Sequence, residues 1–166
     1  ANGSGKTSLM QALCGLLRPD AGTIEWAAGS AGTAAHYCAH QDALKAAWTV
    51  TENLRWHLQL HGCSLPAGIW EDSLAEMRLD LLSDTPAAHL SQGEKRRAAL
   101  LRLAVMPRPV WLLDEPFNAL DTAGRDTLVR WINRHTETGG AVLFYSHSGR
   151  PAHLRLTGEM SMDGRA

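Results

Sequence analysis

Residues 3–7 read Gly-Ser-Gly-Lys-Thr, and apolar residues at helical spacing follow them directly. Glycines in such a loop let backbone N–H groups turn inward onto phosphate oxygens, and the start of the next helix adds a favourable dipole. Lys6 is expected to reach the β- and γ-phosphates of a nucleotide, and Thr7 to coordinate Mg²⁺. The alternative is a glycine-rich turn that precedes Lys-Thr by chance. We expect nucleotide contacts from the residues of this phosphate-binding loop, which are Asn2, Gly3, Ser4, Gly5, Lys6, Thr7 and Ser8.

The first glycine of the GxxxxGK[ST] pattern would fall one residue before Ala1, and the chain begins without Met. A strand normally leads into this loop, because the strand fixes where the loop and the following helix point. We therefore expect the chain to be truncated at its N-terminus. The missing strand is expected to lie in the sheet beside the strands that end at Asp114 and Tyr145.

The composition is that of one folded domain without a strong net charge. Hydrophobic residues make up 45% of the 166 residues and charged residues 20%, which excludes a disordered chain. Sixteen basic residues stand against 17 acidic ones, whereas a nucleic-acid-binding protein normally has a basic excess. We therefore expect no nucleic-acid partner. Three cysteines without a CxxC pair argue against a disulfide framework, and no apolar run approaches the ~20 residues that span a bilayer.

Strand and helix patterns alternate along the chain. Apolar residues at helical spacing predict helices over 8–18, 51–62, 66–82, 91–105 and 122–138, with Leu17 and Leu81 on inward faces. Short apolar runs predict strands over 23–26, 36–39, 109–113 and 141–145, and a last strand within 153–160. This alternation predicts an α/β fold with a mostly parallel sheet, here a P-loop NTPase core. We expect a single domain over 1–166, with a helical subdomain inserted at approximately 48–90.

The apolar run at 110–113 ends in two carboxylates, Asp114 and Glu115. In open α/β sheets, ligands bind at the carboxyl ends of the strands. We expect Asp114 to hold Mg²⁺ through water and Glu115 to polarise an attacking water. The alternative is an acidic strand end that only faces solvent. A phosphate-binding loop requires a metal, however, and under this alternative no carboxylate would hold it.

Residues 90–94 read Leu-Ser-Gln-Gly-Glu. Ser91 as the N-cap and Glu94 three residues later form the pattern of a capping box at the start of a helix. That local interpretation explains neither Gly93 nor the basic run at 95–97. Because a helix N-terminus is also an anion site, the same stretch can both begin a helix and bind a phosphate.

The motifs of the chain, taken in order, resemble those of the ATP-binding cassette (ABC) ATPase family. The resemblance covers essentially the whole chain, and a fixed order of several motifs is far more specific than any one of them. The signature of the family usually reads LSGGQ, which is LSQGE here. The motifs are the phosphate-binding loop, Gln41 at a strand end, LSQGE, LLDEP, Asn118-Ala119-Leu120-Asp121 and Ser146-His147.

The resemblance implies ATP and Mg²⁺ as cofactors and a pair of subunits that enclose two nucleotides between them. Ser91, Gly93 and Glu94 would act on the nucleotide held by the other subunit, and Asp121, at the position of the D-loop of the family, would also contact nucleotide. Gln41 would contact the metal and sense the helical subdomain. The catalytic residues would be Glu115, His147 and Gln41, with His147 on the γ-phosphate, and the metal ligands would be Thr7, Gln41 and Asp114.

A narrower resemblance is to the ATP-binding subunit of the haem exporter of cytochrome c maturation. It rests on Glu52-Asn53-Leu54 running to Leu60-His61-Gly62, on LSQGEKRRAALLRL and on DEPFNALD. It implies ATP hydrolysis coupled to haem export, at the cytoplasmic face of the bacterial inner membrane. The partners would be an integral-membrane transporter subunit docked near Gln41 and a second copy of the chain in a homodimer. The alternatives are another small ABC exporter, a soluble ABC ATPase that acts on DNA or ribosomes, and a non-catalytic nucleotide-binding module.

Two histidine pairs and one tryptophan have other interpretations. His57 and His61 lie four residues apart, as do His36 and His40, and each pair could bind a metal. Without a third ligand nearby in the sequence, we expect packed or surface histidines instead. Trp56 could face a partner, but burial is the ordinary fate of a tryptophan, and we expect it to be buried.

Overall fold

A computed structural model describes residues 5–27, 29–65, 68–147, 151–160 and 162 of the chain. The strands are β1 (Ala35–Cys38), β2 (Val110–Asp114) and β3 (Ala141–Tyr145). The helices are α1 (Lys6–Leu13), α2 (Ala31–Ala34), α3 (Val50–Leu60), α4 (Ile69–Glu76), α5 (Gln92–Val105) and α6 (Thr122–Glu137). Two 3₁₀ turns lie at Asp80–Leu82 and Ala87–His89. None of the helices within these ranges has the length and apolar character that crossing a membrane requires.

The three strands form one parallel sheet in the order β1-β2-β3. The register places Cys38 opposite Leu113 and Asp114 opposite Tyr145. Because all three strands run the same way, their carboxyl ends share one edge of the sheet. The predicted α/β fold with a parallel sheet is confirmed.

The position of β2 corrects one expectation about the sheet. A further strand was expected beside the strands that end at both Asp114 and Tyr145, but β2 already pairs with β1 on one side and β3 on the other. Backbone hydrogen bonding in a sheet is limited to two neighbours per strand, so no place is left beside β2. A groove of about 750 Å³ runs along β3 and reaches Lys6.

A single core joins the sheet to the helices. α5 packs against β1 and α6 against β3, while α3 and α4 pack against α5. Leu101 of α5, Leu113 of β2 and Leu128 of α6 are fully buried, and Leu58 and Leu74 belong to the same core cluster. The helical subdomain at approximately 48–90 stays a prediction.

α1 ends at Leu13, so the predicted end at residue 18 is wrong. The chain turns at Gly15, whose φ of 73° lies in the left-handed region that favours glycine. The N–H of Leu16 donates to the carbonyl of Gln11 at 2.8 Å, which completes a Schellman ending. Leu17, expected on the inward face, is 44% exposed.

The helix predicted at 66–82 is only the eight-residue α4, followed by a turn. Arg78 takes the left-handed conformation (φ 54°), and the N–H of Leu79 donates to the carbonyl of Leu74 at 2.8 Å. A non-glycine residue at such an ending leaves no signal in the sequence. Leu81, predicted to point inward, is 91% exposed.

The strands predicted at 23–26 and within 153–160 are absent from the described residues. Residues 23–25 are exposed, so no buried face holds them in a sheet. In the tail, the Asn133 side chain donates to the His153 carbonyl at 3.0 Å and accepts from the Arg155 N–H at 3.1 Å. One amide side chain therefore takes the place of a strand ladder.

Trp56, expected to be buried, is 39% exposed.

Candidate active site

The start of α1 meets the end of β2. The Thr7 hydroxyl donates a hydrogen bond to Oδ2 of Asp114 at 3.1 Å, and Asp114 is only 4% exposed. The Lys6 ammonium lies 4.7 Å from the centre of the Tyr145 ring, at the end of β3. Gly5 precedes α1 with φ 79°, a left-handed conformation that suits glycine. The structure thus brings Lys6 and Thr7 to the carboxyl edge of the sheet.

An oxygen pair at this edge fits a magnesium ion. Mg²⁺ prefers oxygen ligands and is usually held by one or two protein side chains together with phosphates and water. The Thr7 hydroxyl and the Asp114 carboxylate supply two oxygens in direct contact, on elements that are far apart in sequence. The donor set therefore matches the chemistry of that ion.

Glu115 directly follows β2 and is buried, with 5% of the residue exposed. Its carboxylate accepts the backbone N–H of His147, at 2.9 Å for Oε1 and 3.1 Å for Oε2. The His147 ring is half exposed, and its Nε2 lies 3.7 Å from Oε1 of Glu115. The two predicted catalytic residues therefore face each other at the sheet edge, with the imidazole on the open side.

Tyr145 completes this group, and the sequence analysis did not single it out. Its hydroxyl lies 2.6 Å from Nδ1 of His147. Desolvation, and then the charges of Glu115 and Asp114, raise the pKa of Tyr145. The phenol therefore stays protonated at neutral pH. Its place at the end of a predicted strand, two residues before His147, is the signal that could have identified it.

Gln41 lies three residues beyond β1 and is exposed. Within the described ranges, Gln41 makes no hydrogen bond to Thr7 or Asp114, so the structure does not join it to the other two predicted metal ligands. Asn2, Gly3 and Ser4 lie outside the described residues. Ser8 is exposed on α1.

The signature residues cap α5. The Ser91 hydroxyl accepts the N–H of Glu94 at 3.3 Å, and Oε2 of Glu94 accepts the N–H of Ser91 at 2.7 Å. The capping box predicted from the sequence is confirmed. The hydrogen bonds with Ser91 lower the pKa of Glu94. Ser91 is exposed and Glu94 partly buried, and the two contact each other across the first turn of α5.

The structure explains Gly93, which the capping pattern leaves unexplained. A Cβ on Gly93 would lie 2.9 Å from the carbonyl oxygen of Ala119, which is closer than carbon and oxygen normally approach. Ala119 itself has a left-handed φ of 61°. The loop that leads to Asp121 therefore lies directly against the signature turn of the same chain.

Asp121 begins α6. Its Oδ1 accepts the N–H of Gly124 at 2.9 Å, and its Oδ2 lies 3.8 Å from Nη1 of Arg97. The Asp121 side chain is about half exposed. A helix cap and an ion pair are thus its contacts within this chain, and its predicted contact with nucleotide stays a prediction.

Arg96 is a second residue that the sequence analysis did not single out. It lies in the basic run at 95–97, yet it is 3% exposed and reaches the backbone behind Glu115. Helical spacing from the buried Ala99 and Leu100 is the signal that places position 96 on the inward face of α5.

Sequence comparisons with known proteins find a matching family and similar relatives. The family described as "ABC transporter" matches residues 1–118. The cytochrome c biogenesis ATP-binding export protein CcmA of Rhodopseudomonas palustris is 44% identical over 154 residues, which are 89% of this chain and 74% of that protein. The CcmA protein of Bradyrhizobium diazoefficiens is 45% identical over 151 residues, which are 88% of this chain and 74% of that protein.

A solved structure shares the fold. It is a dimeric post-hydrolysis state of an ATP-binding cassette bound to ADP and Pi, with a TM-score of 0.77 at 20% identity. The match covers 89% of this chain and 72% of that chain. At this identity the likeness concerns the fold alone.

Proposed function

This chain belongs to the ABC transporter family, and we propose that it is the ATP-binding and ATP-hydrolysing subunit of an exporter that serves cytochrome c biogenesis. The observation that carries the proposal is the meeting of Lys6 and Thr7 with Asp114, Glu115 and His147 at one edge of the sheet. The CcmA relatives, at 44% and 45% identity, supply the biological process.

The phosphate-binding loop and Lys6 bind the triphosphate of ATP. Lys6 and Thr7 lie at the start of α1, and a helix N-terminus favours anions. The Lys6 ammonium adds a positive charge beside the Tyr145 ring. Thr7 and Asp114 would hold Mg²⁺, with Gln41 as the further ligand, and the ion would neutralise charge on the phosphate oxygens.

Glu115 orients the water that attacks the γ-phosphorus. The new bond forms between the water oxygen and phosphorus, while the bond from phosphorus to the β–γ bridging oxygen breaks. Glu115 accepts the proton of the water and returns it to the phosphate, so the products are ADP and Pi. The imidazole of His147, half exposed beside Glu115, contacts the γ-phosphate.

The signature turn at residues 91–94 is accessible to a second copy of the chain. Ser91 is exposed and Glu94 partly exposed at the start of α5, and the Asp121 side chain is about half exposed before α6. In the proposed homodimer, Ser91, Gly93 and Glu94 close on the nucleotide held by the other copy. An integral-membrane subunit near Gln41 would carry the haem cargo, with this subunit at the cytoplasmic face of the bacterial inner membrane.

Complementation in cells tests the proposal. A bacterial strain that lacks its own ATP-binding subunit for cytochrome c maturation receives the complete gene, as wild type or with single substitutions. We expect the wild type and Glu25→Gln, an exposed carboxylate, to restore covalent haem on c-type cytochromes. Glu115→Gln should restore none. Full restoration by Glu115→Gln would contradict the proposed role of this site.

A further inference from the structure

We propose that Arg96 of α5 is a positioning residue that holds Glu115 in its working orientation and ties it to the segment around Gln41. The proposal rests on the role of Glu115 given above. It assigns to this guanidinium a mechanical part in hydrolysis, at a distance from the nucleotide itself.

The Arg96 guanidinium uses all of its hydrogen-bonding capacity. A guanidinium has five N–H groups, and each has an acceptor in this structure. Four of the acceptors are backbone carbonyls, and the fifth is a carboxylate. They are the carbonyl oxygens of Asp114 (3.0 Å), Glu115 (2.9 Å), Pro116 (3.4 Å) and Ala39 (2.9 Å), and Oδ1 of Asp42 (3.1 Å).

The acceptors belong to two separate segments. Nε and Nη2 donate to carbonyls at the end of β2 and in the turn after it. Nη1 donates to the segment that follows β1. Only a planar fork reaches both directions at once, whereas a lysine carries three N–H groups on a single nitrogen. The arrangement therefore requires arginine rather than any positive charge.

The turn held by Arg96 is strained at the residue that matters for catalysis. Glu115 has φ 49°, in the left-handed region, where a non-glycine residue persists only if its surroundings hold it. Its N–H donates to the carbonyl of Tyr145 at 2.9 Å, and its own carbonyl accepts from Arg96 and from the N–H of Asn118. This backbone conformation aims the carboxylate at the N–H of His147.

Arg96 also joins Glu115 to the chain on both sides of Gln41. Ala39 lies two residues before Gln41, and Asp42 directly follows it. Asp42 is 20% exposed and forms an ion pair with Arg96, which is buried. A displacement of this segment would remove two of the five acceptors and loosen the turn at Glu115. Arg96 is therefore placed to transmit the position of the Gln41 segment to the catalytic carboxylate.

The contacts of Arg96 predict an effect on kcat and little effect on ATP affinity. Its five hydrogen bonds go to the two strand-end segments, and none goes to residues 5–8, the part of the phosphate-binding loop that the structure describes. Loss of Arg96 should therefore lower kcat while ATP affinity stays near that of the wild type.

The experiment measures kcat and KM for ATP of the membrane-embedded transporter. Arg102→Lys is the matched control, because Arg102 lies on the same helix and donates to a strand carbonyl, that of Tyr37 at 3.0 Å. We expect Arg96→Lys and Arg96→Gln to lower kcat at least ~10-fold, with KM within about 2-fold of wild type. Asp42→Asn should lower kcat several-fold, and Arg102→Lys should leave both constants within about 2-fold.

A double mutant separates positioning from general stability. If Arg96 acts through Glu115, adding Arg96→Lys to Glu115→Gln should cause no further loss of the residual rate. Independent, multiplying losses would overturn the proposal, and so would equal losses of kcat in Arg96→Lys and Arg102→Lys. If Arg96→Gln does not fold, wild-type kcat in both Arg96→Lys and Asp42→Asn overturns it. Wild-type hydrolysis by Glu115→Gln alone is a different outcome, which refutes the proposed function of the site itself.

Discussion

The Thr7 hydroxyl donates a 3.1 Å hydrogen bond to the buried carboxylate of Asp114, although 107 residues separate the two along the chain. The contact joins the start of α1 to the end of β2, the two elements whose motifs are proposed to bind phosphate and metal. It places two oxygen ligands side by side where the sequence predicted a magnesium site.

Loss of either oxygen should weaken the use of magnesium. We expect Thr7→Ala and Asp114→Asn to raise the Mg²⁺ concentration for half-maximal ATP hydrolysis at least ~10-fold, because one ligand of a small hard cation is removed. The measurement is a magnesium titration of phosphate release. Thr23→Ala, an exposed threonine, is the control, and the same midpoint in Thr7→Ala and in Thr23→Ala would contradict the assignment.

Gly93→Ala should destabilise the protein. Its Cβ would lie 2.9 Å from the backbone oxygen of Ala119, and a backbone atom cannot move aside as a flexible side chain can. Overpacking of this kind costs about 1–3 kcal/mol, and better helix propensity offsets up to about 1 kcal/mol of it. We expect a net loss of about 1 kcal/mol in the free energy of unfolding, measured by urea denaturation.

The control for that substitution is Gly158→Ala, because a Cβ at Gly158 would meet nothing within 4 Å. It should change the free energy of unfolding by less than ~0.5 kcal/mol. A Gly93→Ala protein as stable as the control would show that the loop at Ala119 yields to the methyl group.

His36 should make the protein less stable in mild acid. The residue is 3% exposed and contacts the carbonyl of Met106 at 2.8 Å, and burial lowers its pKa to about 3. Below pH 6.5 the unfolded chain binds a proton that the folded chain excludes, so the free energy of unfolding falls as the pH drops from 6.5 toward 3. Between pH 7 and pH 5 this one group removes about 2 kcal/mol.

Urea denaturation at pH 7 and at pH 5 measures whether the free energy of unfolding falls as expected. His36→Gln keeps a donor for the Met106 carbonyl but does not titrate, so its loss of stability between pH 7 and pH 5 should be smaller than that of the wild type. His89→Gln, at an exposed site, is the control and should lose as much as the wild type. An unchanged difference in His36→Gln would mean that His36 is protonated without unfolding.

The sequence was sufficient to predict residues and elements whose local pattern and chemistry agree. The phosphate-binding motif located Thr7, and motif residues at predicted strand ends located Asp114, Glu115 and His147. The capping box at Ser91 and Glu94 follows from spacing alone. The strand at 141–145 was predicted with its observed bounds. In each case the signal lies within a few residues along the chain.

The sequence was insufficient where tertiary contacts decide. The end of α4 depends on a left-handed Arg78, and the tail is held by the Asn133 side chain instead of a strand ladder. Arg96 lies within the basic run at 95–97, and only its burial between two strand-end segments shows that it holds them together. Gly93 is explained by a loop 26 residues away, and no local pattern encodes that approach.

The most direct test of the account is the nucleotide that the purified transporter retains when Glu115 is replaced by Gln. The amide keeps the size and a hydrogen bond of the carboxylate but cannot accept the proton of the attacking water. Incubated with Mg²⁺ and radiolabelled ATP, the Glu115→Gln transporter is predicted to retain intact ATP and to release less than ~1% of the wild-type phosphate. Retention of ADP, with phosphate release at the wild-type rate, would contradict the central claim that Glu115 at this sheet edge drives hydrolysis.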